Sequence, residues 1–259
     1  MYSFSPESAV KYYIGDVSGN DKFFGDKKSY VTVNSLFFPD IYSETARASE
    51  GKYLNPTIIS DIPRLMDFFE MLFRAFAESH CKCSETYRVE RYSDFEICQS
   101  KGCTVSVTST SYAQFLDSYR DRHGIALMRF IVPEDSPFIN VAEFLRFYAK
   151  PEEMELMIPP FVSLNIHEKP LTEQELRITD SNGVPPEISC ISKTGDIIRC
   201  GIIPESLPVD GEKAGRRVYD SLNNRNVPSE KDVILYTQWK SVLQKNLHMM
   251  FCEIFSLFH

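Results

Sequence analysis

The middle of the chain constrains the fold most: between residues 86 and 168 short apolar runs follow one another without regular helical crossovers between them. The runs at 86–92, 103–108, 125–132, 155–158 and 161–166 read as strands separated by loops. Parallel neighbours need a long crossover, usually a helix, whereas antiparallel neighbours do not. This stretch therefore predicts an α+β fold with antiparallel sheets, not a doubly wound one. Short helices are expected at 111–120 and 141–147.

The flanks differ in character. The first sixty residues mix strand-like and turn-like pieces, with a strand-like run at 30–33. From residue 60 or 61 to about 79, Ile62, Leu65, Met66, Phe69, Leu72, Phe73 and Phe76 recur at helical spacing. Pro63 suits the first turn, so an amphipathic helix packed on a sheet is expected. Beyond residue 169 turns dominate. The runs at 188–191 and 197–203 flank Lys193-Thr194-Gly195-Asp196 and predict a hairpin. Residues 204–227, with Gly211 and Gly215, read as a loop. A last helix begins at Pro228-Ser229, where Ser229 and Asp232 have capping-box-like spacing. Its apolar stripe is Leu235, Trp239, Val242, Leu247, Met250, Phe251, Ile254 and Phe258. The expected division is a helical N-terminal portion (1–84) packed on a core (85–169), with a C-terminal extension of hairpin and long helix (170–259) in the same globule.

Charge and composition exclude several classes. A net charge of −8 argues against an electrostatic grip on nucleic acid or an anionic membrane. No apolar run approaches the ~18 residues that a membrane span needs. Residues 1–15 lack a basic region followed by an apolar run, so a Sec-type signal is not expected. Seven cysteines in no even framework fit the reduced cytoplasm, with export by a signal-less route, as an effector, the alternative. His80, Cys81, Cys83, Cys98 and Cys103 lack the paired Cys-x₂-Cys spacing of zinc knuckles, and no metal is expected. The scattered glycines form neither a P-loop nor a dinucleotide fingerprint.

Three short segments remain, in order: Tyr87-Arg88, Ser109-Thr110-Ser111 and Glu153-Met154-Glu155-Leu156, the last continuing as Met157-Ile158-Pro159-Pro160. An aromatic-Arg on one strand, Ser-Thr-Ser on a later one and Glu-x-Glu before an apolar strand resemble the arginine–serine–glutamate class of ADP-ribosyltransferases. Clostridial and cholera-type toxins and vertebrate cell-surface enzymes belong to that class. The resemblance covers residues 87–160. It implies the ADP-ribosyltransferase fold, two small antiparallel sheets around a cleft that takes NAD as substrate. It also implies transfer of ADP-ribose to an acceptor protein.

The chemistry explains these residue types. NAD loses nicotinamide through a transition state with oxocarbenium character on the ribose, as in glycoside cleavage. A carboxylate hydrogen-bonded to the ribose 2′-hydroxyl stabilises that charge better in the transition state than in the ground state. By resemblance Glu155 takes this role, and Glu153 orients or deprotonates the acceptor. A Glu at 153 resembles the arginine-modifying members, which favours arginine slightly as acceptor. Arg88 would fork onto the phosphates or hold the nicotinamide ribose. Val89 stands where many members have Gly, and its backbone would face the nicotinamide amide. Ser109 would fix Glu155. Strand alternation turns Thr110 into the sheet and Ser111 back toward the cofactor. Arg120 or Arg122 would add a phosphate contact, and Tyr148 would recognise the target. The expected activity is mono-ADP-ribosylation. The rivals are an NAD glycohydrolase and a silent NAD- or ADP-ribose-binding module; the oligomeric state stays open.

Overall fold

The computed structural model describes residues 4–15, 29–38, 61–82, 85–111, 125–147, 154–168, 187–197 and 205–258. Along the chain run α1 (Pro6–Ile14), α2 (Ser29–Ser35), α3 (Ile62–Ala77), β1 (Glu85–Arg91), α4 (Tyr92–Lys101), β2 (Thr108–Thr110) and β3 (Ile125–Ile131). There follow β4 (Ile139–Asn140), α5 (Val141–Phe144), β5 (Leu156–Ile158), β6 (Val162–Glu168), β7 (Glu187–Ile197), α6 (Gly211–Asn223) and α7 (Glu230–Phe258). The architecture is mixed α+β. The chain forms two units, Met1–Ala77 with Arg199–His259, and Glu78–Ile198.

The first unit is helical. Ser5 and Ser8 start α1 with a reciprocal capping box: the Ser5 amide donates to Ser8 Oγ (2.7 Å) and the Ser8 amide to Ser5 Oγ (3.1 Å). Helix α3 buries Leu65, Phe69, Leu72, Phe73 and Phe76 of the face its periodicity predicts, with Phe68 added and Ile62 and Met66 only half-buried, and it packs against α1 and α7 in place of the expected sheet. Phe73 meets Phe251 of α7 edge-on, ring centroids 5.1 Å apart. Gln244 of α7 donates its amide to the carbonyls of Leu36 (2.7 Å) and Phe38 (2.8 Å), which follow α2. The Asp232 amide donates to Ser229 Oγ (3.2 Å), so the expected N-terminal cap of α7 is present.

Several expectations for these segments are corrected. Residues 30–33 lie in α2, not in a strand. Part of the expected loop 204–227 is the helix α6, whose buried face is Gly211, Ala214, Gly215, Val218 and Tyr219. A Cβ at Gly211 would stand 2.6 Å from Trp239 Cγ, so glycine here permits close helix packing instead of marking a turn. Residues 1–77 and 199–259 share a unit, in which α3 and α6 both pack against α7.

The second unit holds two small, largely antiparallel sheets. One has the order β1-β3-β7-β6 and the other β2-β5-β4. The β3–β7 pair is parallel, so the first sheet is mixed. Residues 187–197 form one continuous strand between β3 and β6, and the hairpin turn expected at 193–196 is absent. The strand pairs with β3 as far as Ser192 and with β6 on its other edge, where a register shift between Lys193 and Ile197 takes up Thr194, Gly195 and Asp196. The strand expected at 103–108 contracts to an isolated bridge, Cys103 with Ser163, followed by β2. Thr104 holds that stretch: its hydroxyl donates to the Pro159 carbonyl (2.8 Å) and accepts from the Val162 amide (3.0 Å). Helix α4, unforeseen because Phe95 is its one buried residue among those described, follows β1 directly. Met128 and Phe130 of β3, Leu156 and Ile158 of β5, Val162 of β6 and Phe95 form a common core. Of the helix expected at 111–120, Ser111 is bridged to Tyr87 and the remainder lies outside the described residues.

Candidate functional site

Arg88, Ser109 and Glu155 come together within the second unit. Arg88 lies on β1 opposite Met128, and Thr86 opposite Phe130. Met128 and Phe130 are buried, so this face of β1 looks into the core, and Arg88 leaves it toward β2. Arg88 Nη1 donates to the main-chain carbonyl of Ser109. Ser109 faces Met157 across the β2–β5 ladder, and Glu155 precedes Met157 by two residues. Alternation thus brings Ser109 and Glu155 to one face, where Ser109 Oγ donates to a Glu155 carboxylate oxygen. Arg88, Ser109 and Glu155 are each half-buried, accessible from solvent yet fixed by neighbours.

Backbone geometry presents the carboxylate. Met154 has φ +44°, a left-handed conformation uncommon for a residue with a Cβ. Such strain persists where surrounding structure over-determines it, frequently at functional sites. Here the Val141 amide donates to the Glu155 carbonyl (3.0 Å) and β5 pairs on both sides immediately afterwards. The turn at Met154 is therefore clamped from its C-terminal side.

The remaining members of the predicted set divide. Thr110 is turned inward, as alternation requires: its hydroxyl donates to the Leu156 carbonyl (2.9 Å). Its side chain is thus a tie between β2 and β5. Ser111 exchanges two main-chain hydrogen bonds with Tyr87, each 2.8 Å, and so joins β2 to β1 across the two sheets. Val89 lies in β1 opposite Leu127. Glu153, Arg120, Arg122 and Tyr148 lie outside the described residues.

Two features escaped the sequence reading. Thr86 Oγ1 lies 2.8 Å from Thr110 Oγ1 and 3.0 Å from the Ser111 carbonyl, linking β1 to β2 by side chain as well as backbone. On the other face of β1, Glu85 is held by Arg129 (Nε–Oε1 2.8 Å, Nη2–Oε2 2.9 Å) and by the Tyr87 hydroxyl. The alternation Glu85, Tyr87 against Thr86, Arg88 was the signal that could have separated these two sets.

Elsewhere, burial pushes the Cys103 thiol up from its ordinary value, opposed by nearby Lys101. Among the described residues no group of three or more His, Cys, Asp or Glu side chains is gathered as a metal site requires. No helix among them is long and apolar enough to cross a membrane. Compared with protein-family models, with curated proteins and with solved structures, the chain matches none at a significant level.

Proposed function

We propose that the chain is an NAD-dependent mono-ADP-ribosyltransferase, with Glu155 as the residue that the chemistry can least spare. The observation that carries this reading is the convergence of a guanidinium, a hydroxyl and a carboxylate drawn from three separate strand segments. Arg88 donates to the Ser109 carbonyl, and the Ser109 hydroxyl donates to Glu155. These are the residue types, in the chain order, that the resemblance specifies.

Each member has a role that its surroundings suit. The hydroxyl of Ser109 fixes the orientation of the Glu155 carboxylate before substrate arrives, which spares reorganisation during the reaction. Glu155 then accepts from the ribose 2′-hydroxyl and stabilises positive charge as the glycosidic bond to nicotinamide breaks. Arg88 supplies a fixed cation that suits the pyrophosphate of a dinucleotide. A site of this kind needs one placed arginine and not a basic surface, so it is compatible with a net charge of −8. Glu153 would activate the acceptor side chain, with arginine slightly favoured.

The test is incubation with NAD labelled on the adenylate moiety, with a cell lysate as the source of acceptors. Labelled protein together with released nicotinamide supports transfer. Nicotinamide release without labelled protein makes water the acceptor and the chain a glycohydrolase. NAD binding without release makes it a binding module, and failure to bind NAD removes the reading altogether.

A further inference from the structure

Thr86 belongs to no part of the chemistry just proposed, yet it sits where the elements of the site meet. It stands two residues before Arg88 on β1, so both side chains leave the same face. Its side chain is wholly buried and Thr110 is nearly so. From Thr86 a chain of hydroxyls runs to Thr110 Oγ1 (2.8 Å) and on from Thr110 to the Leu156 carbonyl (2.9 Å). Thr110 adjoins Ser109, and Leu156 adjoins Glu155. The three segments tied by this chain are thus those that carry Arg88, Ser109 and Glu155.

We propose that Thr86 is a positioning residue of the site, setting the approach of β1 to β2 and β5 through its hydroxyl. The inference rests on the functional reading of Arg88, Ser109 and Glu155 above. A buried hydroxyl is an odd choice for packing alone, since valine fills the same volume with no polar atom to satisfy. Because β1 and β2 belong to different sheets, no continuous ladder fixes their separation. The Tyr87–Ser111 main-chain bonds and the Arg88 bond to the Ser109 carbonyl also join the two strands, and the Thr86 hydroxyl adds a wholly buried restraint beside them, to Thr110 and the Ser111 carbonyl. Losing it loosens the approach of β1 to β2 and so shifts Arg88 relative to the Ser109–Glu155 pair while the fold survives.

The experiment compares the full chain with Thr86→Val, which keeps the shape, and Thr86→Ser, which keeps the hydroxyl. Two readouts are taken on each folded protein. The first is NAD cleavage, for which Thr86→Val should lower kcat about tenfold with KM within about twofold, and Thr86→Ser should recover most of the loss; misplacement by an ångström can cost up to ~10²-fold. The second needs no activity: NMR signals of the Arg88 guanidinium and the Glu155 side-chain carboxyl carbon should both move in Thr86→Val and stay near wild type in Thr86→Ser. If wild type leaves NAD intact, the functional reading fails and the NMR comparison still decides whether Thr86 positions the three side chains. Unmoved Arg88 and Glu155 signals in a folded Thr86→Val protein would overturn the proposal. So would equal losses of kcat in the two variants.

Discussion

Ser109 and Glu155 stand 46 positions apart and share a hydrogen bond, because the β2–β5 ladder sets Ser109 opposite Met157, two residues past Glu155. A register shift of one residue would turn Ser109 to the other face and break that bond. The candidate site therefore depends on the pairing of two strands of three residues each.

Replacing Glu155 by Gln keeps size and shape but removes the charge. NAD cleavage should fall by roughly 10²–10³-fold, the scale for a preorganised electrostatic partner, with the melting temperature near that of wild type. Ser109→Ala should cost less, roughly 10–100-fold, since it frees the carboxylate's orientation and leaves its charge. Nicotinamide release measured alongside circular dichroism checks both. Normal turnover by the Glu155→Gln protein refutes the assignment.

Arg88→Lys retains a positive charge and loses the planar fork. The expected outcome is weaker NAD binding, about 10–100-fold, from the loss of roughly 1.5–3 kcal/mol in charge-assisted hydrogen bonds. Isothermal titration with NAD on wild type and variant reads this directly. Equal affinities would place Arg88 outside the binding determinants.

Gly211→Ala should destabilise the helical unit, because the added methyl would meet the Trp239 side chain. Overpacking of this kind costs about 1–3 kcal/mol. Urea unfolding followed by Trp239 fluorescence, the chain's one tryptophan, should show a lower midpoint with little change in slope. An unchanged midpoint would mean that α6 and α7 can separate at no cost.

The hydroxyls of Tyr219 and Tyr236 share a hydrogen bond of 2.8 Å. Burial pushes both phenols up, Tyr236 well above its ordinary value, with Tyr219 beside it raising it further. A raised folded-state pKa contributes stability that is fully present below the unfolded value, about 10, and is lost as pH rises toward the folded value. The urea midpoint should therefore hold up to about pH 10 and fall steeply above it. In Tyr219→Phe/Tyr236→Phe that alkaline fall should be shallower, and an equally steep one would put the effect elsewhere.

How much of this was legible in the sequence depended on what kind of residue carried each feature. Helix α3 was plain because large apolar side chains mark one face at helical spacing. Helix α6 was missed because two of its buried residues are Gly211 and Gly215, which look like turn residues until a partner packs closely, as Trp239 does against Gly211. Strand β7 was not legible as one strand because Lys193-Thr194-Gly195-Asp196 has turn chemistry, and the structure takes up that tetrapeptide in a register shift against β6 in place of a hairpin turn. That Arg88, Ser109 and Glu155 would lie together was foreshadowed only by the order of their motifs along the chain, and the structure brings them within hydrogen-bond reach. Thr86 was not foreshadowed, because a threonine on a strand is ordinary until its partner is known.

The insertion of one unit within the other has a consequence for synthesis. The sheet-bearing stretch is contiguous, whereas α1 to α3 must wait for α7, as the 208-residue separation of Leu36 and Gln244 makes plain. At ordinary ribosomal speed that delay is roughly 10–40 s. Throughout it the phenylalanines of α3 lack their cover from α7, so the nascent chain is at its most vulnerable to aggregation long after its first helices have emerged.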